Sequence, residues 1–232
     1  MVSINNEASI SKFQSFIKDV YNKPNDRNFE ISEMLNNIQR FGMRGLKGIR
    51  KGDIDKTKKN LIISFSWFLS TLNRLHIELE EEVWKRFPYL CSYCASCPCI
   101  CKAQKLTSRR EIPIDNSKKP GTIAGFQKMF YQIYPPSSRT LDHAGVHFAE
   151  ETGEFIEALI SFRNEKKEED FEELKIEAAD YFSCLIGIFN SLEIELSEEL
   201  SRLFNENCHE CHKIPCECEY QKIKNYKISG II

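Results

Sequence analysis

The chain has 232 residues, 41% of them hydrophobic and 28% charged, with a formal net charge of −2. That suffices for one large globular domain or two small ones, and no stretch approaches the roughly 18 apolar residues of a membrane span. The opening MVSINNEASISKF lacks the charged-then-apolar pattern of a secretory signal, so no membrane and a cytoplasmic location are expected.

The predicted elements are all helical. In the first half an amphipathic helix begins near Ile10. A second helix is expected over 29–44, a long apolar third over 57–75 and a short fourth over 78–87. Leu61, Phe65, Phe68, Leu69 and Leu72 have core spacing on the third. The segment KAQKLTSRREIPIDNSKKPG (102–121) is polar, basic and broken by Pro and Gly, and reads as a linker. The series then recurs, with helices from Ile123, over 142–164, over 168–191 and over 195–205. Ser197, followed by Glu198 and Glu199, offers an N-terminal cap to the last. Phe182, Leu185, Ile186 and Phe189 give the second long apolar helix its core face, and Cys184 beside them reads as a small core residue.

The recurrence extends to residue identity. ISKFQSFIKDVY (10–21) matches IAGFQKMFYQIY (123–134), and residues 75–101 match 192–218 without a gap. In that second alignment Leu75, Ile77, Leu79, Phe87, Cys91, Cys94, Pro98, Cys99 and Cys101 fall on Leu192, Ile194, Leu196, Phe204, Cys208, Cys211, Pro215, Cys216 and Cys218. The chain is a tandem duplication, with repeats at 8–101 and 122–219 and a C-terminal tail at 220–232. Its charge is uneven: residues 1–121 carry 21 Lys and Arg against 13 Asp and Glu, and residues 122–232 carry 11 against 21.

The chemistry concentrates in the second repeat. Glu151 with Glu154, and Glu177 with Asp180, are i,i+3 pairs that each lie on one helix face. Such spacing is common on solvated faces, the expected setting of Glu165, Glu168, Glu169, Asp170, Glu172 and Glu173. Asp180, however, runs directly into YFSCLIGIF, and an acid on a nearly all-apolar helix needs a partner or a metal. Two such helices packed antiparallel would direct four carboxylates into one cavity, a setting for a hard cation such as Mg²⁺. In the first repeat Asn60 and Ile63 stand at the positions of Glu177 and Asp180, and SEMLNNIQRFG offers only Glu33, so that copy cannot assemble four acids.

The order Glu150-Glu151-Thr152-Gly153-Glu154, then Glu177-Ala178-Ala179-Asp180, resembles the EExxE and ExxD signature of the MazG-like, all-alpha nucleotide pyrophosphohydrolases. The resemblance covers nearly all of the second repeat. It implies two tandem MazG-like helical repeats packed as a pseudo-dimeric helix bundle, the first catalytically degenerate. It also implies Mg²⁺ held by Glu151, Glu154, Glu177 and Asp180, with Glu150 or Glu154 as the base that takes a proton from water. The expected reaction converts a nucleoside triphosphate to a monophosphate and pyrophosphate. Family members work as dimers or higher assemblies, so a homo-oligomer is compatible. The basic segment RFGMRGLKGIRKG (40–52), with Arg44, Lys47 and Arg50, is a candidate for phosphate contacts.

Nine of the ten cysteines lie in the two tails, as Cys91, Cys94, Cys99 and Cys101 and as Cys208, Cys211, Cys216 and Cys218, with Cys97 extra in the first. Four thiolates at this spacing read first as a structural Zn²⁺ site, with His209 and His212 as substitute ligands. Disulfides and an iron–sulfur cluster remain open. Similar cysteine tails occur on some MazG-like proteins. Two other readings of the whole chain stand beside the hydrolase: a non-enzymatic nucleotide sensor, and a zinc-bearing nucleic-acid or protein adaptor. Nucleic acid is not expected as a partner on the hydrolase reading, since no recognition motif for it occurs.

Overall fold

A computed structural model describes residues 3–138 and 140–226; the end of the expected C-terminal tail, 227–232, lies outside the described residues. Among those residues every regular element is a helix and none is a strand. In chain order the α-helices are α1 (Ile10–Asn28), α2 (Ile31–Lys51), α3 (Ile54–Leu75), α4 (Leu79–Arg86), α5 (Ile123–Ile133), α6 (Leu141–Glu165), α7 (Glu168–Ser191), α8 (Leu196–Phe204) and α9 (Tyr220–Lys224), with short 3-10 turns at Asn116–Lys118 and Pro136–Ser138. No helix among the described residues is long and apolar enough to cross a membrane.

The chain divides into two compact units, Met1–Glu78 with Ser197–Ile232, and Leu79–Leu196. These units are not the sequence repeats. The first takes α1–α3 from the first repeat but α8 and the cysteine tail from the second. The second takes α4, the first cysteine tail, the linker and α5–α7. Each unit thus combines three helices of one repeat with the fourth helix and tail of the other. The two fourth helices bring with them matching apolar residues, Leu79 and Phe87 at one and Leu196 and Phe204 at the other, all buried.

In the first unit Phe204 packs against Phe13 and Phe16 of α1 and edge-on to Tyr21. In the second unit Phe87 meets Phe130 edge-on at 5.1 Å and also contacts Tyr134. The polar ties recur in the same way. Gln14 donates to the Ile77 carbonyl at 2.7 Å, and Gln127 to that of Ile194 at 2.8 Å. Asn73 and Asn190 donate to the carbonyls of Gln14 and Gln127. The amide of Cys99 bonds the carbonyl of Ile133 at the end of α5, and that of Cys216 bonds the carbonyl of Val20 inside α1, where Pro24 has no N–H to give it. Even the left-handed residues coincide: His76 with Glu193, and Ala95 with His212. Buried amides satisfied at equivalent positions are what a duplicated core would keep, since an orphaned one costs more than the bond gains.

The long apolar helices behave as expected: Leu61, Phe65, Phe68, Leu69 and Leu72 are buried, as are Phe182, Cys184, Leu185, Ile186 and Phe189. Two helix boundaries differ from expectation. α8 begins one residue before Ser197, so that buried serine lies inside the first turn and not at the cap. The second helix runs on to Lys51, through the glycines of the basic segment, and stops only at Gly52 in the left-handed region. Those glycines are where α2 meets α3. A Cβ on Gly45 would lie 2.7 Å from the Leu61 side chain, and one on Gly48 would strike the Thr57 hydroxyl and lie 2.9 Å from its amide nitrogen. Close approach of the two helices closes this unit where the other holds carboxylates. Gly48→Ala is therefore expected to destabilise the protein by about 1–3 kcal/mol through overpacking against backbone, read as a lower denaturation midpoint.

Candidate functional site

α6 and α7 form a helical hairpin. Thr140 caps α6 by accepting from the His143 amide, and left-handed Lys166 ends it two residues before α7 begins. The hairpin brings one oxygen each of Glu151, Glu177 and Asp180 within 4.8 Å of one another. Burial of these acids is partial, but Glu151 Oε2 and Glu177 Oε2 are shielded from solvent and have no hydrogen-bond partner. Burial first, and then the charges of Asp180, Glu154 and Glu177, push the Glu151 carboxyl up to about 8. Burial followed by Asp180 and Glu154 pushes Glu177 up to about 7.

One positive charge stands inside this cluster, and it comes from the other repeat. Arg86, the last residue of α4, donates from Nε to Asp180 Oδ1 at 3.1 Å and from Nη2 to Oδ2 at 2.7 Å. This is the two-pronged arginine–carboxylate geometry, and the two side chains are only 13% and 14% exposed. Burial disfavours the guanidinium charge, but the bonds and charge of Asp180, with Glu177 close by, outweigh it and raise its pKa. Three carboxylates against one guanidinium leave a formal excess of two negative charges. An all-oxygen donor set with that excess and two orphaned oxygens fits a hard divalent cation.

In comparisons with family models, with curated proteins and with solved structures, nothing matches the chain. The site is therefore read from its own residues.

Glu154 lies outside the group of three but close enough for its charge to act on Glu151 and Glu177, and it lines an open cleft with Glu157, Asp170, Glu173 and Glu177. Asp170 differs from the solvated acid expected there: its Oδ2 is shielded and unpartnered, because the start of α7 lies along this cleft. Glu150 points elsewhere, with Oε2 3.1 Å from Nδ1 of His147 on its own helix. The basic segment belongs to the first unit and is helical. Arg44 donates to the Tyr226 carbonyl, and Arg40 to those of Lys224 and Ile223 at the end of α9, while Lys47 and Arg50 are exposed. These arginines thus satisfy carbonyls left open at a helix C-terminus. The arginine that does reach the carboxylates was missed in the sequence. In the gapless alignment Arg86 stands opposite Leu203, one of many positions at which the two copies differ, so the sequence did not single it out.

Each cysteine tail gathers four thiols: Cys91, Cys94, Cys99 and Cys101, and Cys208, Cys211, Cys216 and Cys218. Their Sγ···Sγ distances are 3.8 and 3.9 Å in the first cluster and 3.9 and 3.8 Å in the second. A tetrahedron with Zn–S bonds of about 2.3 Å has edges of about 3.8 Å; a disulfide would need about 2.05 Å. Backbone amides point at the sulfurs, with Ile100 and Cys101 donating to Cys94 and Cys99, and Glu217 and Cys218 to Cys211 and Cys216. Both clusters could bind zinc. Cys97 is exposed and outside the set. Neither His209 nor His212 belongs to the four-sulfur group of its tail, and His209 Nδ1 lies 3.1 Å from the Tyr21 hydroxyl.

The raised carboxyls predict a pH effect. Glu151 and Glu177 hold protons in the folded state that they release in the unfolded state near their ordinary value of 4.5. Stability from these groups is therefore fully present below about pH 4.5 and is lost as pH rises through about 7 to 8. In metal-free protein Glu151→Gln is expected to raise the unfolding midpoint at pH 8 by about 2–4 °C, and to change it little at pH 4.5. Thermal unfolding followed by circular dichroism at the two pH values checks this.

Proposed function

We propose that the protein is a Mg²⁺-dependent nucleoside triphosphate pyrophosphohydrolase with one active site, on the α6–α7 hairpin. The observation that carries the reading is the trio Glu151, Glu177 and Asp180, with two shielded oxygens that lack partners. The resemblance of Glu150–Glu154 and Glu177–Asp180 to the MazG-like signature supplies the reaction class. On this reading Glu151, Glu177 and Asp180 hold the ion, with Glu154 at their edge. When bound, Mg²⁺ supplies charge neutralisation for phosphates and lowers the pKa of water.

The chain's own groups divide the remaining tasks. Glu154, exposed on the cleft, is better placed than Glu150 to take a proton from the attacking water, since Glu150 is engaged by His147. Attack on the alpha phosphorus forms the new P–O bond and breaks the bond to the beta-phosphate oxygen, so that pyrophosphate leaves. The acidic cleft repels an unaccompanied triphosphate, which makes the substrate a metal complex. In the first unit Asn60 is buried, with its amide turned to its own helix at the Lys56 carbonyl, and Ile63 is buried. No second site is expected there, and the duplication would act as a fused pair with a single live centre.

We assign the two cysteine clusters to structural zinc, since four sulfurs leave no open position for catalysis.

Pyrophosphate release from a panel of ribo-, deoxy- and modified triphosphates tests the reaction. Release is expected with Mg²⁺ and not with EDTA, and Glu177→Gln is expected to lower kcat by about 100-fold or more. Release that survives Glu177→Gln undiminished would remove the assignment. Metal analysis of purified protein is expected to give two zinc ions per chain, one after Cys91→Ser and two after Cys97→Ser.

A further inference from the structure

The carboxylate cluster is supplied with its own cation by the opposite repeat, and the duplication shows that the two belong together. Asp180 corresponds to Ile63, and Arg86 to Leu203. The acid and the arginine occur together in one unit, and apolar residues take both places in the other. A purely packing arginine would not be expected to follow the acid in this way. The neighbouring Lys85 shows the alternative, an exposed side chain paired with Glu82 on its own helix. Arg86 instead engages both oxygens of Asp180 within the group suited to a cation. Its positive charge opposes a dication at those same oxygens.

Resting on the reading of this site as a metal and triphosphate site, we propose that Arg86 is a latch. It holds Asp180 while no metal is bound and competes with the metal for that carboxylate. Once released, it offers its planar fork to phosphate oxygens. Metal and triphosphate binding are thereby coupled, and by linkage each strengthens the other by the same factor.

The test is titration of the zinc-loaded full chain with Mn²⁺, followed by calorimetry or electron paramagnetic resonance. It is run with and without a triphosphate whose alpha–beta bridge is a methylene. The Mn²⁺ site is distinguished from the cysteine clusters by its loss in Glu177→Gln. Without nucleotide, Arg86→Gln is expected to bind Mn²⁺ about tenfold more tightly than the wild type, since a nearby positive charge is gone. In the wild type the analogue is expected to tighten Mn²⁺ binding, and in Arg86→Gln that enhancement is expected to be lost. Arg86→Lys keeps the charge without the fork and should fall between, and it decides the matter if Arg86→Gln does not fold. Helical, folded variants with unchanged or weaker Mn²⁺ binding would overturn the latch and make Arg86 a strut, while leaving the metal site standing. Absence of Mn²⁺ binding from wild type and variants alike would overturn both.

Discussion

The feature on which the rest of the structure turns is a concentration of negative charge at a partly buried place. Glu151, Glu177 and Asp180 converge within 4.8 Å, where like charges and lost hydration both penalise ionisation. Proteins tolerate such an arrangement when something positive completes it. Here the chain itself contributes only part of the compensation, the fork of Arg86 on Asp180. Glu151 Oε2 and Glu177 Oε2 remain shielded and unpaired. A cation bound beside these oxygens would relieve both penalties.

Exchange between the repeats is what allows a single chain to build this centre. The fourth helix of the first repeat lies in the unit that holds the second repeat's carboxylates, so a repeat without a carboxylate site of its own still supplies a charged residue to one. In the unit left without acids the helices close up instead. Gly45 and Gly48 let α2 settle on Leu61 and Thr57 of α3, and Asn60 turns to its own helix. The two units have kept the same buried amide ties at Gln14 and Gln127 and the same cysteine frames. They differ where one has a polar centre and the other a packed one.

The cysteine tails carry a related lesson about geometry. Spacing alone left zinc, disulfides and iron–sulfur clusters open. Thiol separations of 3.8 to 3.9 Å match the edge of a small thiolate tetrahedron and are far too long for a covalent S–S bond. Fastening Cys99 and Cys216 by their amides to carbonyls of α5 and α1 makes each tail part of a core and not an appendage.

Much of this was determined by the sequence. Apolar periodicity fixed the helical class and the buried faces of α3 and α7, because a 3.6-residue period is local and survives any packing. Gapless identities between 75–101 and 192–218 marked the two equivalent tails, and the spacing of Glu151, Glu154, Glu177 and Asp180 marked the hairpin on which three of those acids converge. The tertiary structure decided what depends on residues distant in the chain. It placed each fourth helix with the opposite repeat, since equivalent docking surfaces leave that choice undetermined by pattern. It carried the second helix on through the glycines of 40–52 into a contact with α3, and it turned Arg40 and Arg44 to the end of α9. It also separated Glu150 from the trio, and it brought Arg86 across 94 positions of sequence to Asp180. A charge pair of that kind leaves no periodic trace, because its partners are chosen by packing and not by spacing.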